Sequence, residues 1–236
     1  MSRGWLYVIR TRGEIDEEFF RSILPRQEWA GVWRYKNRQD RLNSLAGLLA
    51  AKVMLAPYCR PLPAIQRTAF GRPYVEAPGW SGDFSLAHSD GLAVCALLPA
   101  GRVGVDVERI RPIDPETARY CLADAEWRLW KEEQDSRLRQ ELFHRYWTLK
   151  EACIKLQGTG MGQIAPDSLR FELHDDGSAA LHPPAPLWFR SWRIEDEYAL
   201  SVCATGGLPG QPYVIMDMEE LIGEFPELYP RSAKGK

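Results

Sequence analysis

Apolar and polar residues alternate along this chain in two different periods, which divide it into short strands and longer helices. Apolar runs bounded by Gly and Pro predict strands at 5–9, 74–75, 84–87, 92–98, 103–107, 169–173, 187–194 and 199–204. Apolar positions recurring every three to four residues predict helices at 15–24, 27–33, 38–58, 115–121, 124–130 and 136–157. We expect Asp124 to be an N-cap, and the glycines from Gly158 to Gly160 to end the last long helix.

The order of these elements repeats. Leu92-Ala-Val-Cys-Ala96 is echoed 108 residues later by Leu200-Ser-Val-Cys-Ala204, and the two long helices are separated by a similar interval. The sequence therefore predicts an α+β fold of two pseudo-symmetric lobes, each a small antiparallel sheet packed against a long helix, with a C-terminal tail. We place the N-terminal lobe at 1–102, the C-terminal lobe at 103–206 and the tail at 207–236. The cleft between the lobes is the expected ligand site.

Composition narrows the class of protein. The chain has 236 residues, 45% of them hydrophobic, which is enough for a large core, and a net charge of −2, which does not favour a nucleic-acid partner. No apolar stretch has the length of a membrane span, and the N-terminus does not resemble a signal peptide. The five cysteines are scattered and have no CxxC spacing. We expect a cytoplasmic protein with reduced thiols.

Charge is unevenly distributed along the chain. Residues 21–60 contain eight Lys or Arg and two acids, whereas residues 211–229, from Asp217 to Glu227, contain five acids and no base. The basic region is either an ordinary solvated helix face or a docking surface for an anionic ligand or an acidic protein.

Two short patterns supply candidate chemistry. Asp106 and Glu108 alternate on a strand and therefore point from one face, while Trp147, Glu151 and Lys155 form one stripe of a helix. Each pattern alone is typical of a solvated strand edge or an ordinary helix surface. Together, three carboxylates and a lysine could hold Mg²⁺ against a polyphosphate. We expect the glycines at 101 and 104 to permit close approach of backbone and ligand.

A second group of residues precedes these patterns. Phe70-Gly-Arg-Pro73 predicts a turn that also presents an arginine, and Phe84-Ser-Leu-Ala-His-Ser89 ends a strand with a histidine and a serine. The capped-turn interpretation of His88 and a ligand contact both stay open from the residues alone. The histidines have no zinc-site spacing, and the chain contains no P-loop, dinucleotide fingerprint or nucleophile elbow.

Together these four blocks resemble the signature motifs of the 4′-phosphopantetheinyl transferases, in particular the larger two-lobed type that activates surfactin synthetase. The similarity covers roughly residues 5–205. It implies transfer of the phosphopantetheine arm of coenzyme A to a serine of an acyl or peptidyl carrier protein, with release of 3′,5′-ADP. It also implies a Mg²⁺ site, in which Mn²⁺ could substitute.

The resemblance assigns roles by position. Asp106, Glu108 and Glu151 would bind the metal. Glu151, Lys155, Glu108 and Glu126 would be the catalytic residues, with Glu151 or Glu108 taking the serine proton through a metal-bound water. The residues expected to contact coenzyme A are Arg72, His88, Ser89, Lys150, Lys155 and Arg41.

The chain departs from some relatives, which carry coenzyme A-binding lysines near the places of Glu28 and Gly31 and an arginine at Asn43. A basic residue between Arg34 and Arg41 could compensate. The alternatives to a transferase are another Mg²⁺-dependent nucleotide pyrophosphatase and a non-catalytic carrier-binding module. Because both half-copies are in one chain, we expect a monomer.

Overall fold

The structure is a computed structural model that describes residues 5–12, 17–159, 162–209 and 213–224. The strands in the described residues are β1 (Leu6–Arg10), β2 (Gln66–Arg67), β3 (Pro73–Tyr74), β4 (Asp83–Ser89), β5 (Leu92–Leu98), β6 (Val103–Arg109), β7 (Arg170–Leu173), β8 (Ser178–His182), β9 (Leu187–Ile194), β10 (Tyr198–Thr205) and β11 (Val214–Asp217). The α-helices in the same described ranges are α1 (Glu17–Ile23), α2 (Arg26–Trp29), α3 (Arg38–Leu55), α4 (Pro115–Cys121), α5 (Asp124–Glu132), α6 (Ser136–Gln157) and α7 (Met218–Gly223). The predicted α+β class is confirmed.

The first sheet has the strand order β11-β1-β5-β4 and packs one face against α3. Leu45, Leu49 and Val53 lie on the buried side of that helix and are fully enclosed by sheet residues such as Cys95. Nearly all residues of α3 from Leu42 onward are buried, which explains why the apolar residues of this helix are almost continuous.

The second sheet has the order β6-β10-β9-β8-β7 and packs against α6. Phe143, Leu149 and Cys153 of the helix face Phe189 and Cys203 of the sheet in a second apolar core. The helix ends at Gly158, whose φ of 73° is the left-handed conformation that terminates helices with little strain at glycine.

The two sheets meet through a third apolar core and along the edges of β4 and β6. Side chains of β4 accept hydrogen bonds from backbone N–H groups of β6: Asp83 from Val103 at 3.0 Å, Ser85 from Val105 at 3.2 Å and Ser89 from Arg109 at 3.1 Å. These bonds satisfy donors at the edge of β6 that would otherwise lack a ladder partner. Both edges thus lie at the seam between the lobes.

The sheet topology confirms the repeat. In the first lobe β5 lies between β1 and β4, and in the second lobe β10 lies between β6 and β9. The echoed apolar motifs are the two central strands. A central strand is buried on both faces, which explains why its sequence stays similar.

A buried ion pair is also duplicated, at an interval of 98 residues. Lys52 of α3 lies 2.6 Å from Glu28 of α2, and Lys150 of α6 lies 2.7 Å from Glu126 of α5. Each lysine also donates to a carbonyl in the segment after its helix, and each glutamate accepts a backbone N–H two residues further on, from Ile65 in one lobe and Phe171 in the other.

Several expectations are corrected. Asp124 is the first residue of α5 and not its cap; Ala123 has that position, and its N–H donates to Glu126 at 2.9 Å. The strands β2, β8 and β11 were not predicted. Lys52, counted in the basic region, is buried, whereas Arg26, Arg34, Lys36 and Arg38 are exposed.

The segment assigned to a tail contributes to the first lobe. β11 pairs with β1 in parallel, and Met216, Met218 and Leu221 are buried in the core around α3. The acidic residues Asp217 and Glu219 are exposed, while Glu227 lies outside the described residues. Of the helices in the described parts of the chain, none has both the length and the apolar character needed to cross a bilayer.

Candidate active site

The cleft between the lobes contains most of the predicted chemistry. A space of about 530 Å³ is bounded by α3 on one side, β4 and β6 at its base and α6 on the other side. It adjoins a smaller space of about 250 Å³, next to the β2–β3 hairpin. Glu151 and Lys155 line both, so the α6 stripe forms the common wall.

The two acids of β6 reach the cleft because of strand alternation. Val103, Val105 and Val107 point into the core between the sheets, so Asp106 and Glu108 point to the opposite face, toward α6. Asp106 is buried, while Glu108 is partly exposed and accepts a hydrogen bond from Ser89 at 2.9 Å. The predicted shared face of the two carboxylates is confirmed.

Gly104 determines how closely α6 approaches these acids. A methyl group at this position would lie 1.9 Å from the carbonyl oxygen of Ala152, so only glycine permits this backbone contact. The glycines at 101 and 104 were expected to permit close approach of a ligand, but Gly104 approaches the helix and Gly101 approaches Thr205. The close packing brings Glu151 and Lys155 beside the strand.

The carboxylates influence one another. Burial raises the pKa of Asp106 to about 6, which Lys155 opposes and Glu108 increases. Burial, followed by the charge of Asp106, raises the pKa of Glu151 to about 7. Burial also raises the pKa of Glu108, against the hydrogen bond from Ser89. The cluster is therefore short of positive charge.

The donor set fits a hard divalent cation. Lys155 Nζ lies 2.6 Å from Asp106 Oδ1, but Asp106 Oδ2 is buried and has no hydrogen-bond partner among the described residues. Within the ranges that the structure describes, no three His, Cys, Asp or Glu side chains lie close enough together to hold a metal ion by themselves. Mg²⁺ is usually held by only one or two carboxylates together with substrate phosphates and water, so an incomplete protein cage agrees with such a site.

His88 and Ser89 lie where they were predicted, at the end of β4. His88 lines the larger space, with Nε2 3.4 Å from the Ser44 hydroxyl and its ring edge-on to Tyr35. Burial, and then the nearby charge of Lys155, lower the pKa of His88. Ser89 is buried and reaches the cleft only through Glu108.

Glu126, Lys150 and Arg41 are not brought to the cleft. Glu126 and Lys150 are essentially inaccessible and bind each other on the side of α6 that faces away from the stripe. Arg41 donates to the carbonyls of Tyr35 and Lys36, both at 3.1 Å. The roles assigned to these three residues by resemblance therefore lack support from the geometry.

Four residues that line the cleft or support its walls were not predicted from the sequence. Arg67 borders both spaces, and Ser44 and Asn43 of α3 line the larger one. Asp83 binds the guanidinium of Arg72. A usable signal existed for the duplicated ion pair, since Glu28-Trp29 and Glu126-Trp127 share a dipeptide at the interval of 98 residues.

Comparison with known proteins agrees with this site. Residues 102–203, which include both β6 and α6, match the 4′-phosphopantetheinyl transferase superfamily. The chain is 24% identical over 225 residues to 4′-phosphopantetheinyl transferase Sfp of Bacillus subtilis (strain 168), covering 92% of this chain and 98% of that protein. The chain is similar to 4′-phosphopantetheinyl transferases over most of its length.

Other relatives show similar levels of identity. The 4′-phosphopantetheinyl transferase psf-1 of Bacillus pumilus is 28% identical over 216 residues, covering 88% of this chain and 90% of psf-1. Among solved structures, the holo-[acyl-carrier-protein] synthase of Thermotoga maritima is similar with a TM-score of 0.35 and 22% identity, over 44% of this chain and 61% of that one.

Proposed function

We propose that this enzyme transfers the 4′-phosphopantetheine arm of coenzyme A to a serine of an acyl or peptidyl carrier protein and releases 3′,5′-ADP. The observation that carries the proposal is the convergence of Asp106, Glu108, Glu151 and Lys155 on one cleft of a chain with this family's motifs. The two relatives compared above are 4′-phosphopantetheinyl transferases, and the chain aligns with nearly their whole length.

The proposed reaction is an in-line displacement at phosphorus. The serine oxygen forms a bond to the β-phosphorus, the bond from that phosphorus to the bridging oxygen breaks, and 3′,5′-ADP leaves. Bound Mg²⁺, held by Asp106, Glu108 and Glu151, would supply charge neutralisation at the pyrophosphate. Lys155 adds a positive charge on the same wall, and is held there by Asp106.

The serine proton goes to a carboxylate of the cleft. Glu151 is one candidate, since it lines both spaces of the cleft beside Lys155. Glu108 is the alternative, but it already accepts a hydrogen bond from Ser89. Both are placed on rigid elements, and positioning is a principal catalytic term in phosphoryl transfer.

Mass spectrometry of an apo-carrier protein incubated with coenzyme A, Mg²⁺ and the enzyme tests the proposal. We expect the carrier to gain the mass of one phosphopantetheine arm on its serine. Cleavage of coenzyme A without carrier modification would instead support a pyrophosphatase. Carrier binding without turnover would support a binding module.

Substitution of the acids tests the metal assignment. Asp106→Ala or Glu151→Ala should lower turnover by several orders of magnitude and leave the thermal stability of the ligand-free protein unchanged or slightly raised. Glu172→Ala, an exposed acid on β7 that pairs with His182, is the control. If coenzyme A and Mg²⁺ together raise the Tm of wild type and Asp106→Ala equally, these carboxylates do not hold the metal.

The cytoplasmic location, the monomeric state and the use of the basic surface around α1–α3 for carrier docking belong to the same proposal. The exposed cations Arg26, Arg34, Lys36 and Arg38 support docking of an acidic partner by charge complementarity.

A further inference from the structure

The hydroxyl group of Ser89 is used in both of its hydrogen-bonding roles at the seam between the lobes. It donates to Glu108 Oε2 at 2.9 Å and accepts the backbone N–H of Arg109 at 3.1 Å. A hydroxyl has one proton and the N–H can only donate, so that proton is directed at the carboxylate. Ser89 is buried, whereas Glu108 is partly exposed to the cleft. A side chain of the first lobe thus fixes an acid of the second.

The turn that follows Ser89 is itself held from outside β4 and β5. Its first residue, Asp90, has a φ of 48°, a left-handed conformation that is uncommon for residues other than glycine. The carbonyl of Asp90 accepts a hydrogen bond from Asn43 Nδ2 at 2.6 Å, and the carbonyl of Gly91 accepts the N–H of Thr11 at 2.9 Å. These contacts fix the end of β4 at which Ser89 lies.

Asn43 of α3 is the residue that joins this turn to the helix. Its side chain is fully buried, and Oδ1 accepts hydrogen bonds from the Thr11 hydroxyl and, at 2.9 Å, from Gln39 Nε2. Both ends of the amide are therefore bound within the protein, although Asn43 lies in the wall of the larger space. Consecutive hydrogen bonds run from α3 through the turn and Ser89 to the Glu108 carboxylate.

A carboxylate that is held in place suits Mg²⁺, which requires nearly ideal octahedral geometry. Groups that hydrogen-bond to a metal ligand orient it, and their removal typically weakens metal binding about 10- to 100-fold. Ser89 donates to Oε2 of Glu108, and among the described residues no hydrogen bond goes to Oε1. The same carboxylate can therefore keep its bond to Ser89 and present an oxygen to a cation.

We propose that Ser89 is a positioning residue whose hydroxyl fixes the Glu108 carboxylate for metal binding, and that Asn43 supports it by holding the turn after β4. The inference rests on the proposed function for the assignment of Glu108 as a metal ligand. It gives the first lobe a part in a site whose proposed ligands all belong to the second lobe. It also replaces the contact with coenzyme A that the family resemblance implies for Ser89.

Binding of Mn²⁺, measured by electron paramagnetic resonance with coenzyme A and without a carrier protein, tests the proposal in the absence of transfer. Ser89→Ala should weaken Mn²⁺ binding by about tenfold or more. Ser89→Thr keeps the hydroxyl and should keep most of the wild-type affinity. In a Glu108→Ala background, Ser89→Ala should cause no further loss, because Ser89 acts only through Glu108.

Ser85→Ala is the matched control on the same strand. Ser85 is also buried and accepts the N–H of Val105 at 3.2 Å, as Ser89 accepts that of Arg109, but no hydrogen bond joins it to an acid within the described structure. Both alanine variants should lower the Tm of the ligand-free protein by similar amounts. Only Ser89→Ala should lose Mn²⁺ affinity.

Asn43→Ala measures the support of the turn. It should weaken Mn²⁺ binding less than Ser89→Ala does, and the double variant should bind Mn²⁺ about as weakly as Ser89→Ala alone. Wild-type Mn²⁺ affinity in Ser89→Ala, an equal loss in Ser85→Ala, or a further loss in the Glu108→Ala background would overturn the proposal. Failure of the wild type to modify any carrier would instead refute the proposed function.

Discussion

Lys150 and Lys155 lie five residues apart on α6 and have different environments. Lys150 is enclosed and bound to Glu126, whereas Lys155 is about one-third exposed and reaches Asp106 in the cleft. A helix rotates by about 100° per residue, so two residues of one motif need not share a surface. Burial and pairing decide which charges are available to a ligand.

The buried histidine of α6 gives a prediction about pH. His144 is 4% exposed, its Nδ1 lies 2.8 Å from the carbonyl of Gln140, and burial lowers its pKa, with the charge of Arg111 acting in the same direction. The unfolded chain therefore binds a proton at His144 more readily than the folded chain does. The free energy of unfolding should fall as the pH drops through about 6.5 and below.

Thermal unfolding of wild type and His144→Gln between about pH 7.5 and about pH 5.5 measures this contribution. The variant should lose less Tm over that range because it removes the titrating group. An identical pH dependence in both proteins would contradict the prediction.

At the scale of elements, the contact between β6 and α6 builds the site. A methyl group at Gly104 would overlap Ala152, so Gly104→Ala should push the helix away from the strand and separate Glu151 from Asp106. We expect a loss of about 1–3 kcal/mol in the free energy of unfolding, together with a large loss of transfer.

Denaturant unfolding and the carrier assay measure both effects. Gly31→Ala is the matched control, because a Cβ there meets nothing within 4 Å and its φ of −70° suits alanine. If Gly104→Ala is as stable as the wild type, the backbones of β6 and α6 are not in the close contact described above.

The duplicated ion pair fixes each long helix to the segment that follows it. Glu126→Gln leaves the Lys150 ammonium buried without a counter-charge and should cost about 3–5 kcal/mol. Adding Lys150→Met should recover part of that loss, and Glu28→Gln in the other lobe should behave like Glu126→Gln.

Equilibrium unfolding of these variants tests the prediction, with Glu132→Gln on the exposed end of α5 as the control. If Glu126→Gln is no less stable than Glu132→Gln, the pair does not carry the structural role given to it here.

At the scale of the molecule, the two lobes have diverged in chemistry while keeping their topology. Strand register equates Asp106 with Ile9, since these residues pair with Ser201 and Ala93 at matched places of the central strands. The interval of 98 residues equates Glu151 with Val53. The acids proposed to bind the metal thus belong to one lobe, and the other lobe contributes His88, Ser44 and Arg67 to the cleft.

Because one chain forms both walls of the cleft, we expect an active monomer. Light scattering coupled to size exclusion should give the mass of a single chain, and specific activity should not change on dilution. An obligate oligomer that loses activity when it dissociates would contradict this.

Sequence by itself determined the elements with strong periodicity and the residues that share a strand face or a helix stripe. The 3.6 period placed Glu151 and Lys155 together on α6, and alternation placed Asp106 and Glu108 together on β6, because local geometry fixes those relations. The repeat and the motifs were sufficient to indicate the family.

Only the tertiary structure decided what each charge contacts. Glu126 and Lys150 were predicted at the site but bind each other in the interior, and Arg72 was predicted to bind coenzyme A but braces the seam between the lobes. The parallel pairing of β11 with β1 brings together residues about two hundred positions apart. Such contacts depend on how distant elements pack against each other. Local sequence patterns describe single elements, so they do not show which elements will meet.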